Sequence, residues 1–195
     1  MRYLGMAVAL AVSASAFADV TFATFADPSS TSSNPVFVHD RVMNTLTGSW
    51  SQSGLTLVGP GLTGSPTITN ATFSTTPLAL TEVVSGVFAV GPGSVVFRDG
   101  SNNHLFTINF SSGTYVEGVG AGSSEFRGQD VEYTGPLVPS GTQGRQFNFA
   151  FANQVNTQTS TTYTASFTSS AVPEPGTMIA LGAGIAAFAA RRRRK

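Results

Sequence analysis

The chain has 195 residues, no cysteine, and ten Lys and Arg residues balanced by ten Asp and Glu residues. Without a thiol there is no disulfide, no thiolate metal site and no cysteine nucleophile. The neutrality conceals a separation of charge. Arg191 to Lys195 and Arg2 take six of the cations, leaving Arg41, Arg98, Arg127 and Arg145 among all ten carboxylates. A lysine-free region at a net charge of −6 is a poor surface for a nucleic-acid backbone, which needs basic patches.

In chain order, Met1-Arg2-Tyr3 supplies one positive charge, an apolar core runs from Leu4 to Val12, and Ser13-Ala14-Ser15-Ala16-Phe17-Ala18 follows. This is the layout of a secretory signal peptide. Ala16 and Ala18 occupy the two positions that signal peptidase needs small, so residues 1–18 are expected to be removed and the mature chain to start at Asp19. The apolar core falls well short of the roughly 20 residues that span a bilayer.

From Asp19 the chain is rich in Ser, Thr, Gly, Phe and Val, without a long window of helix formers. Strands are predicted at 20–25, 36–42, 55–58, 67–73, 83–90, 95–98, 105–110, 115–119, 130–133, 145–152 and 161–167. Turn formers such as Gly59-Pro60-Gly61, Gly91-Pro92-Gly93, Asp99-Gly100 and Gly135-Pro136 divide them. Many short strands with regular turn signals indicate an all-β fold. The expected architecture is a single antiparallel β-sandwich of eight to eleven strands, jelly-roll-like, forming one extracytoplasmic domain over 19–171. Residues 168–175 read as a linker. About 150 residues bury enough core to fold without disulfides. Alternation places Phe147, Phe149 and Phe151 on one strand face, Phe106, Ile108 and Phe110 on another, and Tyr163, Ala165 and Phe167 on a third. Fifteen phenylalanines against one tryptophan suggest core layers more than a sugar-stacking platform.

The search for chemistry yields little. The histidines are His39 and His104, and no Gly-x-Ser-x-Gly elbow accompanies them; Val38-His39-Asp40 reads as a strand end. Glu117, Glu125, Asp130 and Glu132 are candidates for a glycosidase carboxylate pair or a calcium site, and read more simply as solvated charges. Asp99-Gly100-Ser101-Asn102-Asn103 echoes a calcium loop but lacks its later glycine and glutamate, which favours an Asp-Gly hairpin turn. Asn70-Ala71-Thr72 and Asn109-Phe110-Ser111 match a glycosylation acceptor, a pattern short enough to arise by chance. No phosphate loop, dinucleotide fingerprint or HExxH appears. The expectation is a protein without catalytic residues, cofactor or metal site: not an enzyme.

The C-terminal segment is the informative one. In Val172-Pro173-Glu174-Pro175, each proline pushes the residue before it into extended backbone. An apolar helix is expected over 177–190, followed by the cytoplasmic stop signal Arg191, Arg192, Arg193, Arg194 and Lys195. The helix covers only about 20 Å of a hydrocarbon core of about 30 Å. Gly182, Ala186 and Ala190 give it a small-residue face for another membrane helix. These features, in this order, closely resemble the PEP-CTERM sorting domain, over residues 172–195 only. The resemblance implies that Pro173, Glu174 and Pro175 are the recognition motif of an exosortase, an integral membrane processing enzyme of bacteria that make exopolysaccharide.

The partners expected are therefore signal peptidase, an exosortase-like enzyme, the membrane through residues 177–190, and exopolysaccharide; nucleic acid is not among them. The leading reading is a structural or interaction protein of the cell envelope, cell surface or extracellular matrix, transiently anchored in the membrane. The alternative is a carbohydrate-binding module assisted by calcium, for which Trp50, Tyr115 or Tyr133 would form an exposed platform. A glycoside-active enzyme comes third.

Overall fold

The computed structural model describes residues 20–29, 34–118 and 124–172. They form thirteen strands in one antiparallel sheet: β1 Val20–Phe25, β2 Phe37–Asp40, β3 Thr45–Trp50, β4 Leu57–Val58, β5 Thr67–Ile68, β6 Thr72–Thr75, β7 Leu78–Val84, β8 Val87–Val90, β9 Gly93–Arg98, β10 His104–Val116, β11 Ser124–Thr134, β12 Gln143–Asn156 and β13 Ser160–Val172. No helix occurs among the described residues. The expected helix at 177–190 lies outside them, as do Ala16, Ala18, Asp19, the Pro173-Glu174-Pro175 motif and the basic tail.

The all-β expectation holds, but the sheet closes on itself instead of forming an open two-layer sandwich. The register explains how. Strands β6 and β7 are one bent strand broken at Pro77, and β8 and β9 another broken at Pro92, because proline removes a ladder donor. Across both breaks the pairing continues without a slip: Thr72↔Arg98, Thr75↔Val95, Leu80↔Val90, Glu82↔Phe88. The ring runs β2, β3, β6–β7, β8–β9, β10, β11, β12, β13 and returns to β2, eight strands around. The closure is short: β2 pairs Phe37 to Asp40 with Gly48 to Thr45 on one side and with Tyr163 to Ser160 on the other. A closed ring removes sheet edges, a recurring solution for antiparallel proteins. Beyond β2, the second half of β13 pairs with β1, which carries β4 and β5 as a flap.

Several boundaries move for identifiable reasons. Strand β3 escaped detection because one of its inward positions is Gly48, where the Phe37 ring fills the space that a side chain would need. Residues 83–90 are two strands joined by a turn at Gly86, whose φ of 78° requires the left-handed region. Conversely, 105–110 and the first two residues of 115–119 belong to the single strand β10, which ends at Val116. The linker expected at 168–175 is overturned over its first five residues. Thr168 to Val172 continue β13, with Thr168↔Thr24 and Ala171↔Val20 on one edge and Val172↔Gln143 on the other. The stretch looks hydrophilic because an inward position is Ser169. Its hydroxyl accepts from the Ala23 N–H at 3.2 Å and donates to the Ala23 carbonyl at 3.1 Å, so burial leaves it satisfied.

Aromatic rings fill the barrel. Phe37, Phe97, Phe106, Phe126, Phe147 and Phe149 are almost fully excluded from water. They meet edge-on or offset, as Phe37 with Phe149 at 4.7 Å and Phe97 with Phe106 at 4.5 Å, arrangements that ring quadrupoles favour. Trp50, Tyr115 and Tyr133 belong to the same core.

Candidate functional site

One end of the barrel is plugged by polar side chains from three strands. Alternation puts residues i and i+2 on the same face of a strand. Each strand therefore contributes two: His39 and Arg41 from β2 and its turn, Tyr115 and Glu117 from β10 and its end, Thr161 and Tyr163 from β13. The β2–β3 turn that carries Arg41 is set by Asp40, whose carboxylate accepts from the N–H groups of Val42 and Met43 at 2.8 and 2.9 Å. Asn44 closes the turn in the left-handed region.

The six side chains form two layers. In the inner one the Tyr115 and Tyr163 hydroxyls lie 2.7 Å apart, and Tyr115 is 3.4 Å from Nδ1 of His39. In the outer one Arg41 donates to Glu117 at 2.5 Å and to Thr161 at 2.7 Å, and the Thr161 hydroxyl donates to Glu117 at 2.7 Å. Burial on its own would raise the Glu117 pKa. The hydrogen bonds from Thr161 and Arg41, with the Arg41 charge, outweigh it and hold the carboxyl below its usual value. For His39 burial dominates: it depresses the imidazole pKa although the Glu117 charge pulls the other way. His39 is thus neutral at pH 7, and its 3.6 Å approach to Glu117 is too long for a hydrogen bond. Tyr163 is pushed up to about 12, mainly by burial, and Tyr115 is raised further by burial and by the Tyr163 hydroxyl.

The plug is built for structure. His39 is 2 % exposed and packs edge-on to the Phe88 and Tyr115 rings. Above it lies an open concavity of about 400 Å³ lined by Arg41, Glu82, Glu117, Gln154 and Asn156. Arg41, Glu117 and Thr161 at its floor hydrogen-bond one another, while Nε2 of His39 beneath them has no partner. Arg41 and Thr161 escaped the sequence reading, which took Tyr115 only as a platform candidate and Tyr163 only as a core-face residue; the signal for the plug was three polar pairs at i, i+2 spacing, each ordinary alone.

The four candidate carboxylates do not gather at one site: Glu117 lies in the plug and the other three on the outer face of β11. Glu125 pairs with Arg127 at 2.9 Å, Asp130 accepts from Ser111 at 3.0 Å, and Glu132 sits opposite Asn109. Glu125 and Glu132 are separated by about 23 Å of strand, at ~3.3 Å per residue. Among the described residues no group of three His, Asp or Glu side chains is placed to hold a metal ion. Residues 99–103 form the β9–β10 hairpin loop, with Asp99 accepting from the Ser101 and Asn103 N–H groups. His104 follows this turn and meets the Thr107 hydroxyl at 2.9 Å. Burial of Trp50, Tyr115 and Tyr133 removes the platform that the carbohydrate-binding alternative required of them.

No characterised protein and no solved structure matches the chain. One family does, the PEP-CTERM protein-sorting motif, over residues 171–194. The match begins on the last two residues of β13, so the motif Pro173-Glu174-Pro175 follows the barrel wall without a spacer. The C-terminal segment of this chain matches the PEP-CTERM protein-sorting motif, and the match is confined to that segment.

Proposed function

We propose that the protein is exported, processed at Pro173-Glu174-Pro175 by an exosortase-like membrane enzyme, and displayed in the cell envelope or exopolysaccharide layer as a structural or interaction protein. Its role is display, not catalysis. The observation that carries the reading is the sorting motif over residues 171–194. The barrel suits the role: Val20 pairs with Ala171, so both ends of the described chain leave from one pole. At the opposite pole the hairpins around Val42 and Met43 and around Val83 and Val84 present exposed aliphatic side chains. Held by its tail, the barrel turns these tips away from the membrane.

The test is the intact mass and cellular location of the protein in its native host, with and without the processing enzyme. The expected product starts at Asp19, ends near Pro173 to Pro175, and disappears when the enzyme is deleted. A product that keeps Lys195 in both strains, or one confined to the cytosol, would sink the proposal.

A further inference from the structure

The outer wall of the barrel carries a groove of about 350 Å³ across β11, β12, β13 and β1. Its lining is two rows of cross-strand neighbours. Arg127, Asn148 and Thr168 stand in register across three strands, and Gln146, Ser170 and Thr21 form the next row. The second row is flanked by two register slips, between Gly144 and Gln146 on β12 and between Thr21 and Ala23 on β1. A bulge bends its strand and re-aims the side chains beside it.

The Asn148 side-chain oxygen and the Ser170 hydroxyl are closed off from solvent, and neither has a hydrogen-bond partner. Such atoms are uncommon in folded proteins, and each needs an explanation. Here both belong to the lining of one groove, whose other side chains are hydroxyls, an amide and a guanidinium, with the Phe147 ring beneath them.

We propose that this groove binds a saccharide through its hydroxyl groups. A sugar hydroxyl donates and accepts, so it can pair with the Ser170 hydroxyl and with the Asn148 amide once a rotamer change turns either group from its closed-off position into the groove. Gln146, Thr168 and Thr21 extend the same chemistry. Arg127, 57 % exposed, gives one donor group to Glu125 and has others to spare. Other ligand classes fit worse. Phe147 lies beneath the groove and is 1 % exposed, so an apolar ligand finds no aromatic face to pack on. Phe147 and Asn148 of β12 and Thr168 to Ser170 of β13 are paired on both edges, which denies a peptide the free edge that strand addition needs there. A polyanion meets a single guanidinium already beside a carboxylate. The site differs in kind from an aromatic platform, and it neither uses nor requires the sorting signal.

The experiment uses the full-length chain in a detergent without a sugar headgroup, titrated with neutral and uronic-acid oligosaccharides and followed by backbone amide resonances. At least one saccharide class should shift residues 146–148 and 168–170. Asn148→Ala and Ser170→Ala should each weaken binding about tenfold, the scale of one lost hydrogen bond. Gln129→Ala, exposed on β11 outside the groove, should leave binding unchanged. If a variant fails to fold, the wild-type shift map decides. Shifts elsewhere, affinity indifferent to both substitutions, or no shift up to saccharide concentrations on the order of 10 mM would overturn the proposal. A failure of sorting in cells would not affect these outcomes, nor would they bear on sorting.

Discussion

The two ends of this barrel are closed by different chemistry. At the end where the tail leaves, the seal is apolar: Phe22 stacks on Tyr133 at 4.1 Å and meets Phe106 edge-on at 5.7 Å. Gly61 and Leu137 tie loops across this end through the Phe22 and Leu105 carbonyls. At the far end the seal is the charged plug of Arg41, Glu117 and Thr161 over His39 and two tyrosines. Apolar packing is indifferent to pH and salt, whereas a buried ion network depends on the protonation of every member. The end that Val172 leaves is therefore closed independently of its surroundings, and the opposite end is closed conditionally.

The largest expected effect removes the apolar seal. Phe22→Ala should cost about 4 kcal/mol, as large-to-small changes of buried aromatics do. Chemical unfolding would show the same loss at pH 5 and pH 7; a loss that changes with pH would erase the distinction between the ends. Next comes Glu117→Gln, which leaves Arg41 without its counter-charge. Because Arg41 is 37 % exposed, solvent repays part of the deficit, and about 2 kcal/mol is expected at pH 7 in place of the larger cost of a fully buried pair.

The pH dependence should come from the plug in two stages. The folded-state pKa of His39 lies below its unfolded value of 6.5, so below pH 6.5 the unfolded chain binds more protons and stability falls with acid. Glu117 is likewise depressed below 4.5, so its contribution is full above that pH and is lost as pH falls through the folded value. His39→Phe removes the first stage and the unpartnered Nε2 together. Thermal unfolding of this variant should be flat between pH 6.5 and 5 where the natural protein declines; an unchanged decline would clear His39 of the effect.

The same contrast decides what could be read from the sequence. Phe147, Phe149, Phe167, Phe106 and Ile108 announced their burial because strand alternation is local and their neighbours are mostly polar or small. The plug was illegible. His39 and Glu117 are 78 positions apart in the chain, and only closure of the ring through the four residues of β2 brings β10 and β13 to the same end. Closure itself was hidden because Pro77 and Pro92 cut two wall strands into pieces that read as separate elements, and Gly48 erased the alternation of β3. The sorting signal was legible throughout, since its order and spacing are contiguous and owe nothing to the fold.

The smallest effect is also the sharpest test of the plug as a network. The Thr161 hydroxyl accepts from Arg41 and donates to Glu117, so Thr161→Val keeps the shape and deletes two hydrogen bonds. A cost of about 1 kcal/mol is expected at pH 7. Because the Thr161 hydrogen bond helps to hold the Glu117 pKa down, its loss should also move the second acid stage upward, towards pH 4.5. The counterpart on the outer wall is Glu125→Ala, which breaks the exposed pair with Arg127. It should change stability by less than about 0.5 kcal/mol and leave both stages in place. If the two variants instead behave alike, Thr161 is only a packed side chain, and the far end of the barrel is closed by shape and not by charge.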